Sequence, residues 1–193
     1  MSLRRRPDRA PSSDEFVEGT SPASAGTSPR KAAPSAYQRA LGLLVRREHS
    51  AGELKRKLRD RGIEEDEAGD ALEALQRQGF QDDRRYAEAL IRSRALVGQG
   101  PVRIRAELRV NAVPAADIEA AFMAAEADGV DWAAIACRVA ARFRPGLRAA
   151  EGADRHKARQ RAVAFLLRRG FPQDLVRAAL ALEPTDEADF LSD

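Results

Sequence analysis

The chain has 193 residues, of which 44% are hydrophobic, 33% charged and 5% aromatic, and a net charge of +3 with a pI near 9.4. No apolar run approaches the roughly 20 residues that cross a bilayer, and no apolar core follows the N-terminal arginines as a secretory leader requires. The one cysteine, Cys137, cannot form an internal disulfide and reads as a core residue in a reducing, cytoplasmic setting.

Residues 1–35 hold Pro7, Pro11, Pro22, Pro29 and Pro34 among many serines and alanines, without a hydrophobic period, which predicts a disordered tail. Arg4, Arg5 and Arg6 within it either touch nucleic acid or are simply solvated. From Tyr37 the pattern turns helical, with Tyr37, Leu41, Leu44 and Val45 on one face. Ser50 with Glu53 has the spacing of a capping box and opens a second helix with Leu54 and Leu58 inside, stopped at Gly62. Glu64 to Glu67 open a third, where carboxylates suit the positive end of the helix dipole; Leu72 and Leu75 follow, and Gly79 ends it.

The cycle then recurs. Asp82 or Asp83 caps a helix with Tyr86, Leu90 and Ile91, which Gly98-Gln99-Gly100 breaks. Pro101 suits a first helical position, where its missing N–H costs nothing; Ile104 and Leu108 form the inner stripe, Asn111 to Pro114 the turn, and Ile118, Ala121 and Phe122 the next helix. Asp131 opens a third cycle with Trp132, Ile135, Ala136, Val139 and Phe143 on one face, ended by Pro145-Gly146. Helices from about Asp154 to Arg169 and Pro172 to Leu182 complete it.

The repeat is gapless over the second and third helices. A shift of 50 places Leu54 on Ile104, Leu58 on Leu108, Ile63 on Val113 and Leu72 on Phe122. A shift of 108 places Leu58 on Leu166, Gly62 on Gly170, Ile63 on Phe171 and Leu72 on Leu180. The predicted fold is therefore all-α: three tandem three-helix repeats over 36–80, 81–128 and 129–183, followed by an acidic tail, 184–193. No single unit is expected to bury its apolar face, so neighbours stack into an elongated, curved solenoid.

Charge follows the repeat. Residues 36–63, 84–113 and 132–171 carry net +5, +5 and +8, and the segments after each, 64–83, 114–131 and 172–193, carry −7, −5 and −5. Such segregation predicts a basic ridge for phosphates and an acidic ridge that repels DNA or meets a basic protein surface. The alternative is that the two signs neutralise one another in weak surface pairs. Lys55 and Arg59 fall on Arg105 and Arg109 under the first shift but on Val163 and Leu167 under the second. The last repeat thus either buries that face or offers an apolar docking patch.

No catalytic constellation emerges, so the reading is non-enzymatic, with no cofactor and no metal. His49 and His156 read as surface residues at helix edges, and with one cysteine they make no zinc site. Gly98-Gln99-Gly100-Pro101 lacks the Gly-Lys-Ser/Thr of a phosphate loop. Glu64 to Asp70 is explained by helix-start electrostatics rather than by a cation. Tyr86 and Trp132 fit as core anchors, not stacking platforms for bases.

Arg46-Arg47-Glu48-His49-Ser50 with Glu53-Leu54 and Lys57-Leu58 resembles the first repeat of the bacterial RecX family. Gly79-Phe80 with Asp82-Asp83-Arg84-Arg85-Tyr86-Ala87, and Gly98-x-Gly100-Pro101-x-Arg103-Ile104-x-x-Glu107-Leu108, resemble its next signatures; Phe165-Leu166 with Arg169-Gly170-Phe171 also fits. The resemblance covers about residues 36–182. It implies a curved row of three-helix repeats in the groove of a RecA–DNA filament. Such a protein inhibits the ATPase, strand-exchange and coprotease activities of RecA, promotes filament disassembly and binds DNA itself. Asn111-Ala112 departs from the family, which commonly has a glycine in that turn; Asn tolerates the left-handed conformation better than most residues.

The residues expected to face DNA or filament are Lys55, Arg59, Arg92, Arg94, Arg103, Arg105 and Arg109, with Glu64, Glu65 and Glu67 toward basic protein surface. The partners expected are the RecA filament and single- and double-stranded DNA without sequence preference, bound by a monomer and with no membrane. The rival reading is a general DNA-binding helical protein with no dedicated RecA partner.

Overall fold

In the structure, a computed structural model, residues 33–181 are described; the predicted tail ends, including Arg4 to Arg6 and the acidic 184–193 segment, lie outside them. Within these residues the chain is helical throughout, without a strand. The first repeat comprises α1 (Ala36–Leu44), α2 (Ala51–Arg59) and α3 (Glu65–Arg77), and the second comprises α4 (Asp83–Leu96), α5 (Pro101–Val110) and α6 (Ala115–Ala127). The third has α7 (Trp132–Ala140), α8 (Arg144–Ala149), α9 (Gly152–Arg168) and α10 (Gln173–Ala181), with a 3-10 turn at Ala141–Phe143.

The caps explain these boundaries. Ser35 and Gln38 form a reciprocal capping box at α1, and the Ser50 side chain accepts from Glu53 N at α2. Asp82, not Asp83, caps α4, Pro101 stands in the first turn of α5, and the Asp131 carboxylate accepts from Ala133 N and Ala134 N at α7. Pro145-Gly146 does not end a helix but lies inside the short α8. A proline in the first turn lacks only an N–H that would be unpaired there, so it starts a helix as readily as it stops one. Val45 is also not part of the inner stripe: it follows the last residue of α1 and is 80% exposed.

Each repeat has its own apolar core, which revises the expectation that no unit buries its face alone. Leu54, Leu58, Leu72 and Leu75 fill the first, Ile91, Ile104, Leu108 and Phe122 the second, and Ala136, Leu166, Phe171 and Val176 the third. The joints between repeats rest largely on backbone and polar contacts, with Trp132 of the third repeat also packed on Phe122 of the second, ring centroids 5.6 Å apart. The start of α2 sits on the turn after α5: Ser50 Oγ donates to Asn111 O at 2.7 Å, and a Cβ on Gly52 would lie 2.6 Å from Ala112 Cβ. The start of α5 sits likewise on the turn after α9, with Gly100 N donating to Arg169 O at 2.8 Å and Val102 N to Gly170 O at 3.0 Å. At α5 the orphan N–H groups of the helix start meet the orphan carbonyls at the end of α9; at α2 the Ser50 hydroxyl takes that place, and Ala51 N donates to Asp83 instead.

The turn that receives α2 carries strain. Gly62, Ala112 and Gly170 hold equivalent places, with φ of +75°, +57° and +87°. Asn111, expected to take the left-handed conformation, has φ −84°; the burden falls on Ala112, whose Cβ makes that region costly. Ala112→Gly is therefore expected to stabilise the chain by about 1 kcal/mol, the relief of strain exceeding the entropy lost by freeing the unfolded chain. Thermal unfolding should show a Tm higher by roughly 2–4 °C; an unchanged or lower Tm would mean that the turn is unstrained.

Candidate nucleic-acid interface

The predicted cations divide into two groups. Arg94 is turned inward, its guanidinium making a bidentate pair with Glu107, with Nε 3.0 Å from Oε2 and Nη2 2.5 Å from Oε1. Arg105 pairs with Glu119, Nη2 to Oε2 3.1 Å, and its Cζ lies over Phe122, 3.7 Å from the ring centroid. Arg92 stands 3.9 Å from both Glu88 and Asp128. These pairs satisfy the charge segregation partly by neutralisation between neighbouring helices, as surface ion pairs do.

Lys55, Arg59, Arg103 and Arg109 are exposed and have no carboxylate within 4 Å among the described residues. Arg103 and Arg109 lie on the exposed side of α5, about 9 Å apart along its axis and about 120° apart around it, so they flank that side. The joints carry this face onward: Arg103 Nη1 donates to Arg168 O at 3.4 Å, and Arg56 Nη2 to Asn111 Oδ1 at 3.4 Å. Exposed Arg56 and Arg168 thus adjoin the α5 cations, beyond those expected from the sequence; positions 55 and 105 are equivalent in the repeat, yet Arg105 is paired and Lys55 has no carboxylate partner among the described residues. Lys55 is further set apart, since it lines a groove of roughly 630 Å³ with Glu65, Asp66, Asp70 and Glu73. Val163 packs on the third core, whereas Leu167 is 39% exposed, so that face is half buried and half open.

Glu64, Glu65 and Glu67 are exposed at the start of α3, where Glu64 is the N-cap residue and offers no side-chain cap. Glu67 Oε1 accepts from Ala36 N at 3.4 Å, tying it to the start of α1.

His49 is not at the surface: it is 3% exposed. Its Nδ1 lies 2.9 Å from Glu53 Oε2, and its carbonyl accepts from Gln81 Nε2. Glu53 does not complete the expected capping box either. It is buried and its carboxylate is bound by Arg47, Nη2 to Oε1 2.5 Å, with Lys57 Nζ at 3.7 Å. Asp83 N-terminal to Arg84 reaches across to accept from Ala51 N at 2.8 Å, and Arg85 pairs with Glu48 at 2.6 Å. A continuous polar joint between the first two repeats thus accounts for Arg47, Glu48, His49, Ser50, Glu53, Asp83 and Arg85, residues that surface-and-core patterning cannot place.

Burial lowers the His49 pKa, outweighing the neighbouring Glu53 carboxylate. A histidine depressed in the folded state contributes stability that is present above its unfolded value of about 6.5 and is lost as pH falls through the folded value. The chain should therefore lose Tm as pH falls below about 6.5, and His49→Gln should show a smaller loss over that range. An equal loss in both would place the acid sensitivity elsewhere.

Among the described residues no group of three or more His, Cys, Asp or Glu could hold a metal ion, and no helix is long and apolar enough to cross a membrane. Models of the first, second and third three-helix domains of RecX match residues 36–75, 82–121 and 131–180. A regulatory protein RecX of Stenotrophomonas maltophilia strain K279a is 44% identical over 158 residues, 82% of this chain and 91% of its own length. One from Xanthomonas axonopodis pv. citri is 46% identical over 149 residues, 77% and 88% of the two chains. A crystal structure of a regulatory protein RecX has a TM-score of 0.65 at 23% identity, covering 76% of this chain and 71% of its own. That of RecX from Lactobacillus salivarius has 0.64 at 20%, covering 76% and 92%. At those identities the likeness concerns the fold.

Proposed function

The chain belongs to the RecX family, and on that premise we propose that it is a negative regulator of RecA. It binds the RecA–DNA filament, inhibits ATP hydrolysis, strand exchange and coprotease activity, and promotes filament disassembly. It acts as a monomer, in the cytoplasm, and also binds single- and double-stranded DNA without sequence preference.

The observation that carries this reading is the similarity of 44–46% over most of the chain to proteins named for a regulatory role. The exposed Arg59, Arg103 and Arg109, without carboxylate partners among the described residues, supply what a phosphate backbone recognises. The exposed Glu64 and Glu65, on a separate helix, suit basic protein surface. A bound regulator shifts a filament only by its differential affinity for the active and dissociating states.

The test is the ATPase rate of RecA on single-stranded DNA, titrated with this protein at two salt concentrations. Inhibition at amounts well below one per RecA, weaker at the higher salt, is the expected result. No inhibition despite binding to bare DNA would leave a general nucleic-acid-binding protein.

A further inference from the structure

Between the second and third repeats lies a groove of roughly 500 Å³. Its floor is apolar: Leu96 from the end of α4, Val130 from the linker, and Ala134 and Ile135 from α7. Leu96 is 77% exposed, so the apolar lining is open to solvent and accessible to an occupant. Two cations rim it. Arg138 Nη2 donates to Ala95 O at 3.2 Å, a neutral acceptor, and no carboxylate lies within 4 Å of Arg138 among the described residues. Arg92 stands 3.9 Å from Glu88 and Asp128, beyond hydrogen-bonding distance. Asp131 also lines the groove, but one of its oxygens is occupied in capping α7.

We propose that this groove is the docking site of the chain's own C-terminal segment, 182–193, with Phe190 and Leu191 on the apolar floor and the flanking carboxylates toward Arg92 and Arg138. The segment's composition matches the groove. It holds Glu183, Asp186, Glu187, Asp189 and Asp193, no Lys or Arg, and one adjacent apolar pair, Phe190-Leu191. Charge of one sign with a single apolar pair complements an apolar floor with a cationic rim.

Reach is sufficient. The last described helix, α10, packs directly on α7, and α7 supplies one wall of the groove. Each is nine residues, about 13 Å long, and packed helix axes lie about 8–10 Å apart. No point on α7 is therefore much more than about 20 Å from the end of α10, whereas the nine residues from Ala181 to Phe190 extend to about 30 Å. Docking within one chain raises the effective concentration, so that weak contacts suffice. In the docked state the segment screens Arg92 and Arg138, acting as an internal polyanion that competes for them.

The inference does not depend on the RecA reading, and its test uses the full chain. A nitroxide is placed at Ser192→Cys, with Cys137→Ala removing the native thiol, and methyl resonances are followed. The expected result is selective loss of intensity for Leu96, Val130 and Ile135, with Leu54 and Leu75 of the first repeat unaffected, and recovery when Phe190→Asp is added. Unaffected first-repeat signals also report that the labelled chain is folded. Uniform broadening, or none at the groove, would overturn the proposal. So would broadening that arises only when spin-labelled chains are mixed with separate isotope-labelled ones, which would assign the groove to a second copy.

Discussion

Gly170→Ala is expected to destabilise the chain by about 3 kcal/mol, and the equivalent Gly62→Ala by only about 1 kcal/mol. Both glycines have a left-handed backbone, φ +87° and +75°, so both substitutions incur conformational strain. They differ in what a methyl group meets. At Gly62 there is nothing within 4 Å, whereas at Gly170 the new Cβ falls on the backbone N and Cβ of Arg103. Backbone cannot swing aside as a flexible side chain does, so relief requires the third repeat to move away from the start of α5. That movement would break the hydrogen bonds of Gly100 N to Arg169 O and Val102 N to Gly170 O. The predicted Tm losses are roughly 6–12 °C and 2–4 °C. Because each repeat has its own core, Gly170→Ala should also broaden the urea transition as the third repeat separates from the rest. Equal losses at the two positions would show that the joint is looser than the geometry describes.

Replacing Arg103 and Arg109 together by alanine is expected to weaken single-stranded DNA binding by roughly 25-fold at about 0.1 M salt. Each phosphate contact contributes about 0.7 to the logarithmic salt slope on a single strand, and the double variant should lower that slope by about 1.4. Stability should change little, since both side chains are exposed and have no carboxylate partner among the described residues. Arg94→Ala and Arg105→Ala should do the reverse. Arg94 is committed to Glu107, and Arg105 to Glu119 and the Phe122 ring, so each loss should cost about 1 kcal/mol of stability and leave the salt slope nearly unchanged. Fluorescence anisotropy with a labelled oligonucleotide over a salt series, with thermal unfolding in parallel, separates the two outcomes. A slope that falls equally for both pairs would mean that the inward arginines turn out to reach DNA.

The polar joint around His49 is where the reading of the sequence departed most from the fold. His49 beside a cap serine has the look of a surface residue because nothing local buries it. What buries it is the second repeat, which brings Gln81 under its carbonyl and Asp83 to the start of α2. Glu53 has capping-box spacing, yet Arg47 and His49 compete for the same carboxylate and hold it.

The sequence by itself determined most of the helices, several of their caps and the threefold repeat, though not α8 or the capping box at Ser35. These depend on interactions within a few residues: the period of Leu54 and Leu58, the oxygen of Ser50 or Asp82 at a helix start, the glycine that a left-handed turn requires. The family resemblance was legible for a different reason, since its motifs are contiguous. Tertiary structure alone decided which charges are free and where the repeats join. Arg94 and Arg105 read like Arg103 and Arg109, and only the packing of α4 and α6 against α5 supplies Glu107, Glu119 and Phe122 as partners for the first pair. The strain at Ala112 was hidden as well, because which of two adjacent residues takes the left-handed conformation is set by the helix end that docks on the turn. Short-range propensity is written along the chain, whereas pairing across a joint depends on distances that no local pattern encodes.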